Sequence, residues 1–491
     1  INVVKIDAQD AEKPVEGAVF GVYAENVFGI EAGTKVDEIT TDANGFAYTK
    51  DLRFGEYYLQ ELAVGDNYWL NGKKYYVTIS ENEKIEVVHI KNEPVQMKLR
   101  VVKKDSETKE AIKGTKFKVV NKETGEDVEF TEFFGIIPYK KTVFTTDKNG
   151  EIVFPQKLSA GNYQLVEAEP SEGYNAIEPI DFTINRDTNY EEIELLGKVT
   201  TIEVENTRIK GDLKIVKIDE ETQEPLQGVK FNITCTDGFM KGQEWTEVTD
   251  ENGEINLTDL EYGTYEAVEV EGLWNYVENK EPIKFEITEN GKTIELTVTN
   301  KKIRGSVELL KVDEDTNRPL EGAEFELWNG EKLVGIYTTD KDGKIVVEGL
   351  EAGNYYWKEV VAPNNYNVND DVELYFSILE DKEVIKLEVS NKVKEGEVDF
   401  SKTDVSTGDL IEGATIHIKG LDEQNKHIDF EFVSTKEETR FKLPVGKYEF
   451  SETVAPEGFV LNKEVGYFEI LENEVIKAEL KNKRIEGTLE F

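Results

Sequence analysis

At 491 residues, 38% hydrophobic and 10% aromatic, the chain is long enough for several domains and too apolar to remain disordered. Its net charge of −43 at pH 7 speaks against nucleic acid or an anionic membrane as partner, because both require a basic surface; the acidity reads as solubility and self-repulsion along an extended molecule. A lone cysteine, Cys235, excludes an intrachain disulfide, and no run approaches the roughly 18 apolar residues of a membrane-spanning helix.

The same succession of elements occurs five times, and the predicted domains are 1–95, 96–209, 210–303, 304–394 and 395–485, with 486–491 beginning a further repeat. Each unit opens on a strand that carries a lysine: Lys5, Lys103, Lys217, Lys311 and Lys402. A turn leads into a second strand around Phe20, Phe117, Phe231 and Phe325, with Ile416 in unit five. A tight turn follows, Asp-x-Asn-Gly at Asp42, Asp147 and Asp250, and Asp340-Lys341-Asp342-Gly343 in unit four. A Leu-x-x-Gly-x-Tyr segment at Leu52, Leu158, Leu260, Leu350 and Leu443 turns again, into a strand carrying Glu61, Glu167, Glu269, Glu359 or Glu452. The last strand ends on Asn92, Asn206, Asn300, Asn391 or Asn482. Short alternating strands between Gly, Pro, Asn and Asp clusters, with no sustained helical period, predict an all-β fold of five tandem immunoglobulin-like or prealbumin-like sandwiches forming an elongated rod. Longer loops are expected at 24–38 and 123–141, and the Phe133–Tyr139 run in the second is expected to pack on its own domain or a neighbour. The linkers are short and lack Gly/Ser or Pro runs, so neighbouring units should follow one another stiffly.

From each Asn to the next Lys is 11 residues in all four cases, whereas successive Lys residues lie 98, 114, 94 and 91 apart. Fixed spacing beside variable loops assigns the trio to the framework. Period-two phase assigns it to the core. Val398, Phe400 and Lys402 share one strand face; so do Ile294, Leu296, Val298 and Asn300, and so do Tyr448, Phe450 and Glu452. Burial favours a neutral amine and a protonated carboxyl. An amine held against a polarised carboxamide can attack it, with the Glu moving protons and ammonia leaving. The expected products are amide cross-links Lys5–Asn92, Lys103–Asn206, Lys217–Asn300, Lys311–Asn391 and Lys402–Asn482, one per domain, in a single-turnover reaction. The plainer reading is a buried Lys–Glu ion pair beside a hydrogen-bonded Asn. An ion pair would tolerate Arg, Asp or Gln somewhere, and the five units never swap.

The pattern resembles the collagen-adhesin B-type (Cna B-type, prealbumin-like, SpaA-like) domains of Gram-positive surface proteins. The residues that carry the resemblance are Lys217-Ile218-Asp219, the Pro-Leu-x-Gly-x-x-Phe segment from Pro225 to Phe231, Thr-Asp-x-Asn-Gly from Thr249 to Gly253, and the Ala-Pro-x-Gly-aromatic segment that completes the run from Tyr448 to Phe459. The resemblance implies that the first-strand Lys and last-strand Asn form an intramolecular isopeptide bond promoted by the middle Glu. Units one and three lack Ala-Pro after the Glu, unit five lacks the Asp-x-Asn-Gly turn, and Lys103 is followed by a second lysine; none of these removes a reacting group.

The expected function is the stalk of a cell-wall-attached Gram-positive adhesin: extracellular, a monomeric rod, with no cofactor, no metal, no nucleic acid and no membrane insertion. A host or matrix ligand would engage regions outside this fragment of a longer array. The runner-up is a pilus backbone subunit, which would need a Tyr-Pro-Lys pilin motif and a Leu-Pro-x-Thr-Gly sorting signal, neither of which occurs here. A third reading has the long loops of units one and two recognise a host protein or glycan. An enzyme acting on outside substrate is the weakest, because the acids and amines recur in every unit and are buried. His89, His417 and His427 are too scattered for a metal site, and Cys235 has no evident catalytic partner.

Overall fold

The computed structural model of the protein describes residues 1–369 and 373–487. Each unit is a sandwich of two sheets, and unit three shows the plan. One sheet runs in the order Glu254–Glu261, Lys210–Asp219, Thr293–Lys302 and Tyr276–Val277. The other runs Glu244–Val248, Lys230–Gly238, Gly263–Glu271 and Ile283–Ile287. Inward residues of both sheets, among them Leu213, Ile215, Phe231, Ile233, Tyr265 and Ala267, form one core. Four comparable clusters fill the other units.

Strand neighbours are antiparallel with one exception repeated in every unit. The first and last strands pair in parallel, as Asn2–Asp7 does with Val87–Asn92 and Lys210–Asp219 with Thr293–Lys302. The register is constant: Asp7 faces Asn92, Asp105 faces Asn206, Asp219 faces Asn300, Asp313 faces Asn391 and Asp404 faces Asn482. Parallel neighbours need a long crossover, here the whole domain. The chain therefore enters each sandwich at one pole and leaves at the other, and the units follow end to end as an elongated array.

Three local devices hold this frame. The Leu-x-x-Gly-x-Tyr tyrosine donates its hydroxyl to the carbonyl four residues back: Tyr57 to Arg53, Tyr163 to Ser159, Tyr265 to Glu261, Tyr355 to Glu351 and Tyr448 to Pro444, at 2.6–2.9 Å. The threonine before the Asp-x-Asn-Gly turn donates to the carbonyl of the residue after the segment's proline and accepts the N–H of the residue just before the second strand. Thr249 does so with Leu226 and Val229, and Thr41 with Val15 and Ala18. The turn glycine lies against the backbone of the first-strand lysine: the Lys217 N–H donates to the Gly253 carbonyl at 2.8 Å. Gly253 has φ +73°, and a Cβ there would sit 2.4 Å from the Lys217 carbonyl oxygen. Gly45, Gly150 and Gly343 repeat this against Lys5, Lys103 and Lys311.

The two long segments differ from expectation. Strand Val19–Val27 continues into residues 24–27, and a new strand begins at Lys35, so the irregular part of 24–38 is short. Within 123–141, Phe130–Phe134 and Ile137–Lys141 pair as a two-stranded ribbon. Its aromatic tip does not pack on a domain: Phe133, Phe134 and Tyr139 are exposed. Only Phe130, at the base, is buried, so an apolar run alone did not distinguish a core from a projection.

The junctions carry charged and aromatic contacts. Arg208, two residues after Asn206, donates to Asp105 of unit two at 2.8 Å and to Glu261 of unit three at 2.7 Å, with its guanidinium over Phe239. Lys302, two residues after Asn300, lies 3.8 Å from Asp219 and 3.7 Å from Glu351 of unit four. Between units one and two, Arg186 donates to Asp66 and the Val64 carbonyl, and Trp69 meets Tyr190 edge to face.

Gly253→Ala should be costly, because an L-residue at positive φ adds about 1–2 kcal/mol and the carbonyl contact adds more. Cys235, buried in the same core, is a native reporter of opening. A loss of about 2 kcal/mol predicts a roughly 30-fold faster reaction of Cys235 with a thiol reagent under native conditions. Gly291→Ala shares the positive φ (+72°) but meets nothing within 4 Å of the added Cβ, so it should carry the backbone cost alone and raise that rate less than Gly253→Ala does.

Candidate functional site: five buried Lys, Glu and Asn trios

All fifteen residues of the expected trios come together, three to each core. The five lysines, five glutamates and five asparagines are all buried, and Lys5, Lys103, Lys217 and Lys311 have no exposure at all. The lysine and asparagine sit on neighbouring parallel strands of one sheet. The glutamate comes from the facing sheet, on Gly55–Ala63, Gly161–Glu169, Gly263–Glu271, Gly353–Val361 or Gly446–Val454.

In each unit the ammonium donates to the asparagine carbonyl oxygen, at 2.5 Å for Lys217 and Asn300; the other pairs are Lys5 with Asn92, Lys103 with Asn206, Lys311 with Asn391 and Lys402 with Asn482. The asparagine Nδ2 donates to the glutamate at 2.8–2.9 Å in every unit. The same glutamate lies 3.1, 3.6, 2.9, 3.4 and 3.3 Å from the lysine Nζ in units one to five. One carboxylate thus touches both the lysine nitrogen and the carboxamide nitrogen.

Burial lowers the affinity of all five lysines for a proton, and the neighbouring glutamate only partly opposes it. Lys103 is pushed down to about 8. Phe20, Phe117, Phe231 and Phe325 place a ring 5.5–5.7 Å from the amine, which explains the aromatic at the second-strand position.

The glutamates are held in place from behind. The second carboxylate oxygen accepts a backbone N–H ten residues on: Asn71 for Glu61, Ile177 for Glu167, Asn369 for Glu359 and Asn462 for Glu452, at 2.6–2.8 Å. Unit three differs. Glu269 Oε2 has no hydrogen-bond donor of this kind and instead faces Lys217 at 2.9 Å.

Sequence reasoning missed the aspartate two residues after each lysine. Asp7, Asp105, Asp219, Asp313 and Asp404 are all buried. One oxygen caps the following turn, as with the N–H groups of Glu221 and Thr222 on Asp219. In units one to four the other accepts a tyrosine hydroxyl, from Tyr68, Tyr174, Tyr276 and Tyr366 in turn. Burial alone would raise the Asp105 carboxyl; the Thr108 N–H, the Arg208 guanidinium, the Glu107 N–H and the Tyr174 hydroxyl outweigh it and hold it well below the usual carboxylate range. The Lys-x-Asp spacing was visible, but its tyrosine lies 53 to 69 residues away and no local pattern pairs them.

With this geometry in hand, comparison with known proteins gives a consistent family. The SpaA prealbumin-like fold domain matches residues 1–94, 97–198, 211–302, 305–393 and 396–484. The chain is 27% identical over 259 residues to a collagen adhesin of Staphylococcus aureus, covering 44% of this chain and 22% of that one. It therefore spans about a fifth of the adhesin's length. Among solved structures it is similar to the Bacillus anthracis TIE protein, at 28% identity, with 76% of this chain and 69% of that one covered and a TM-score of 0.49. It is also similar to BcpA, the major pilin subunit of Bacillus cereus, at 17% identity, 61% and 99% coverage and a TM-score of 0.35.

The depressed lysine makes a pH prediction for a chain that cannot react. In Asn206→Ala, Lys103 stays a free amine. Between about pH 8 and 10.5 the unfolded chain still holds the lysine proton that the folded domain has released. Stability then rises with pH across that window, as the cost of a buried charge disappears. Denaturant titrations of Asn206→Ala against Lys103→Met/Asn206→Ala should show the rise only in the first. Equal slopes would contradict the shift.

Proposed function

The chain belongs to the SpaA prealbumin-like fold domain family, and from that premise we propose that it is a self-locked, force-carrying rod of a Gram-positive surface fibre. Modules of this family are extracellular, cell-wall-attached structural units and not turnover enzymes. What supports the locking is the glutamate carboxylate, within reach of Lys Nζ and Asn Nδ2 in all five cores.

The reaction runs within each domain. The glutamate takes a proton from the lysine ammonium, and the neutral amine attacks Cγ of the asparagine. The glutamate returns the proton to Nδ2 as the C–N bond breaks. A new Nζ–Cγ amide forms and one ammonia leaves, carrying off the remaining proton as ammonium. Burial supplies the lowered lysine, and the fold holds the reacting atoms in contact, which replaces an external catalyst. No residue beyond the trio needs to move.

Two kinds of fibre use such a rod. The sequence reading placed the adhesin stalk first and the pilus backbone second. Pilins are the commoner kind among the similar solved structures, and we place the pilus subunit ahead on that balance; the staphylococcal collagen adhesin supports the stalk.

Pulling the chain from its ends tests the role. First and last strands are parallel neighbours, so tension enters on one and leaves on the other. A Lys–Asn bond between them short-circuits the domain. Wild-type chain should extend with no step of domain size. Lys217→Ala should add one step, releasing the 83 residues between positions 217 and 300, roughly 300 Å of contour. Wild-type traces with five such steps would overturn the proposal.

A further inference from the structure

Among the described residues, one ribbon joins neither sheet of its sandwich. The unit-two ribbon, Phe130–Phe134 with Ile137–Lys141, pairs only with itself. It is built to project. At its base Phe130 is buried between Phe144 and Phe154, with ring centroids 5.4 and 4.9 Å away. Gln156 grips its edge like a further strand: the Thr131 N–H donates to Oε1 at 2.8 Å, and Nε2 donates to the Thr131 carbonyl at 2.7 Å. Tyr139 and Lys141 both donate to Glu132, at 2.6 and 3.2 Å, which cross-braces the two strands.

Beyond that brace the ribbon is apolar throughout. Phe133, Phe134, Gly135, Ile136, Ile137 and Pro138 are all exposed, Phe134 by 82% and Ile136 by 94%. Phe133 faces Pro138 and Phe134 faces Ile137 across the ribbon. Successive side chains in a strand point to opposite faces, so both faces and the turn are apolar. A two-stranded ribbon that packs on protein commonly keeps one face for water. This tip has no such face, and the environment that suits it is apolar on every side. Just below it stand the exposed Tyr139 and Lys140, residue types that place an apolar body against hydrocarbon and a polar end among headgroups. The apolar tip is about three residues deep, roughly 10 Å, which is the depth of interfacial insertion and far short of a span.

Charge narrows the surface further. A chain of net charge −43 is repelled by an anionic bilayer and by a second copy of itself. We propose that the Phe133–Pro138 tip inserts into the outer layer of a zwitterionic, phosphocholine-type lipid surface, giving the rod a lateral membrane contact. The sequence expectation of no membrane insertion rests on the lack of a spanning run and does not reach a tip of this length.

The test uses the full chain and vesicles of pure phosphatidylcholine. Wild type should float with the vesicles, and Phe134→Ser/Ile136→Ser should partition at least tenfold more weakly. Phe134→Trp should be quenched by lipids brominated near the headgroup end of the acyl chain. Unchanged amide hydrogen-exchange protection across unit two reports that each variant remains folded. Adding phosphatidylserine at low salt should weaken binding. Wild type that does not float, equal partition by the double variant, or an unquenched Trp overturns the proposal. So does concentration-dependent self-association that the double variant abolishes, which would place a second copy on the tip.

Discussion

Everything in this molecule turns on an ammonium and a carboxylate held inside an apolar sandwich with one carboxamide between them. A lone charge there would be prohibitive, and removing one partner of such a pair generally costs several kcal/mol. The trio is tolerable because each member satisfies another: Lys on Asn, Asn on Glu, Glu on Lys. As a non-covalent pair it is a poor way to stabilise a core, since a hydrophobic replacement of equal volume would do as well. Its recurrence in five cores makes more sense as chemistry, where the destabilised amine is what reacts.

The surrounding devices serve that contact. The turn glycine fixes the backbone of the reacting lysine, and the backbone N–H behind the carboxylate aims the glutamate. The aspartate two residues on ties the end of the lysine strand to its following turn. Unit three lacks the N–H behind Glu269, and unit five lacks both the glycine turn and the aromatic over its lysine. These supports vary while the trio does not, which on the proposed function assigns placement to the supports and reaction to the trio. The parallel pairing of first and last strands then gives the contact its mechanical meaning, because those two strands carry the chain into and out of the domain.

Much of this was legible in the residues. Period-two phase placed Lys402 beside Val398 and Phe400, and the structure buries all three. The constant spacing from Asn to the next Lys corresponds to junctions of one length, and within each unit the Lys and Asn strands pair in one parallel register. What stayed hidden was non-local. The tyrosines that meet Asp7 and Asp219 lie 61 and 57 residues away along the chain, and the Leu-x-x-Gly-x-Tyr motif was seen as a turn without its hydroxyl's destination. The Phe133–Tyr139 run was expected to pack because apolar residues usually do; its alternation gives no phase, being apolar on both faces, so the sequence held no signal of which way it pointed.

The central claim is covalent, and mass decides it most directly. Each bond expels one ammonia, about 17 Da, so the denatured intact chain should weigh about 85 Da less than its composition. Glu269→Ala should recover about 17 Da of that deficit after allowing for the substitution. A chain at its full composition mass would contradict the account, leaving five buried polar networks with no lock.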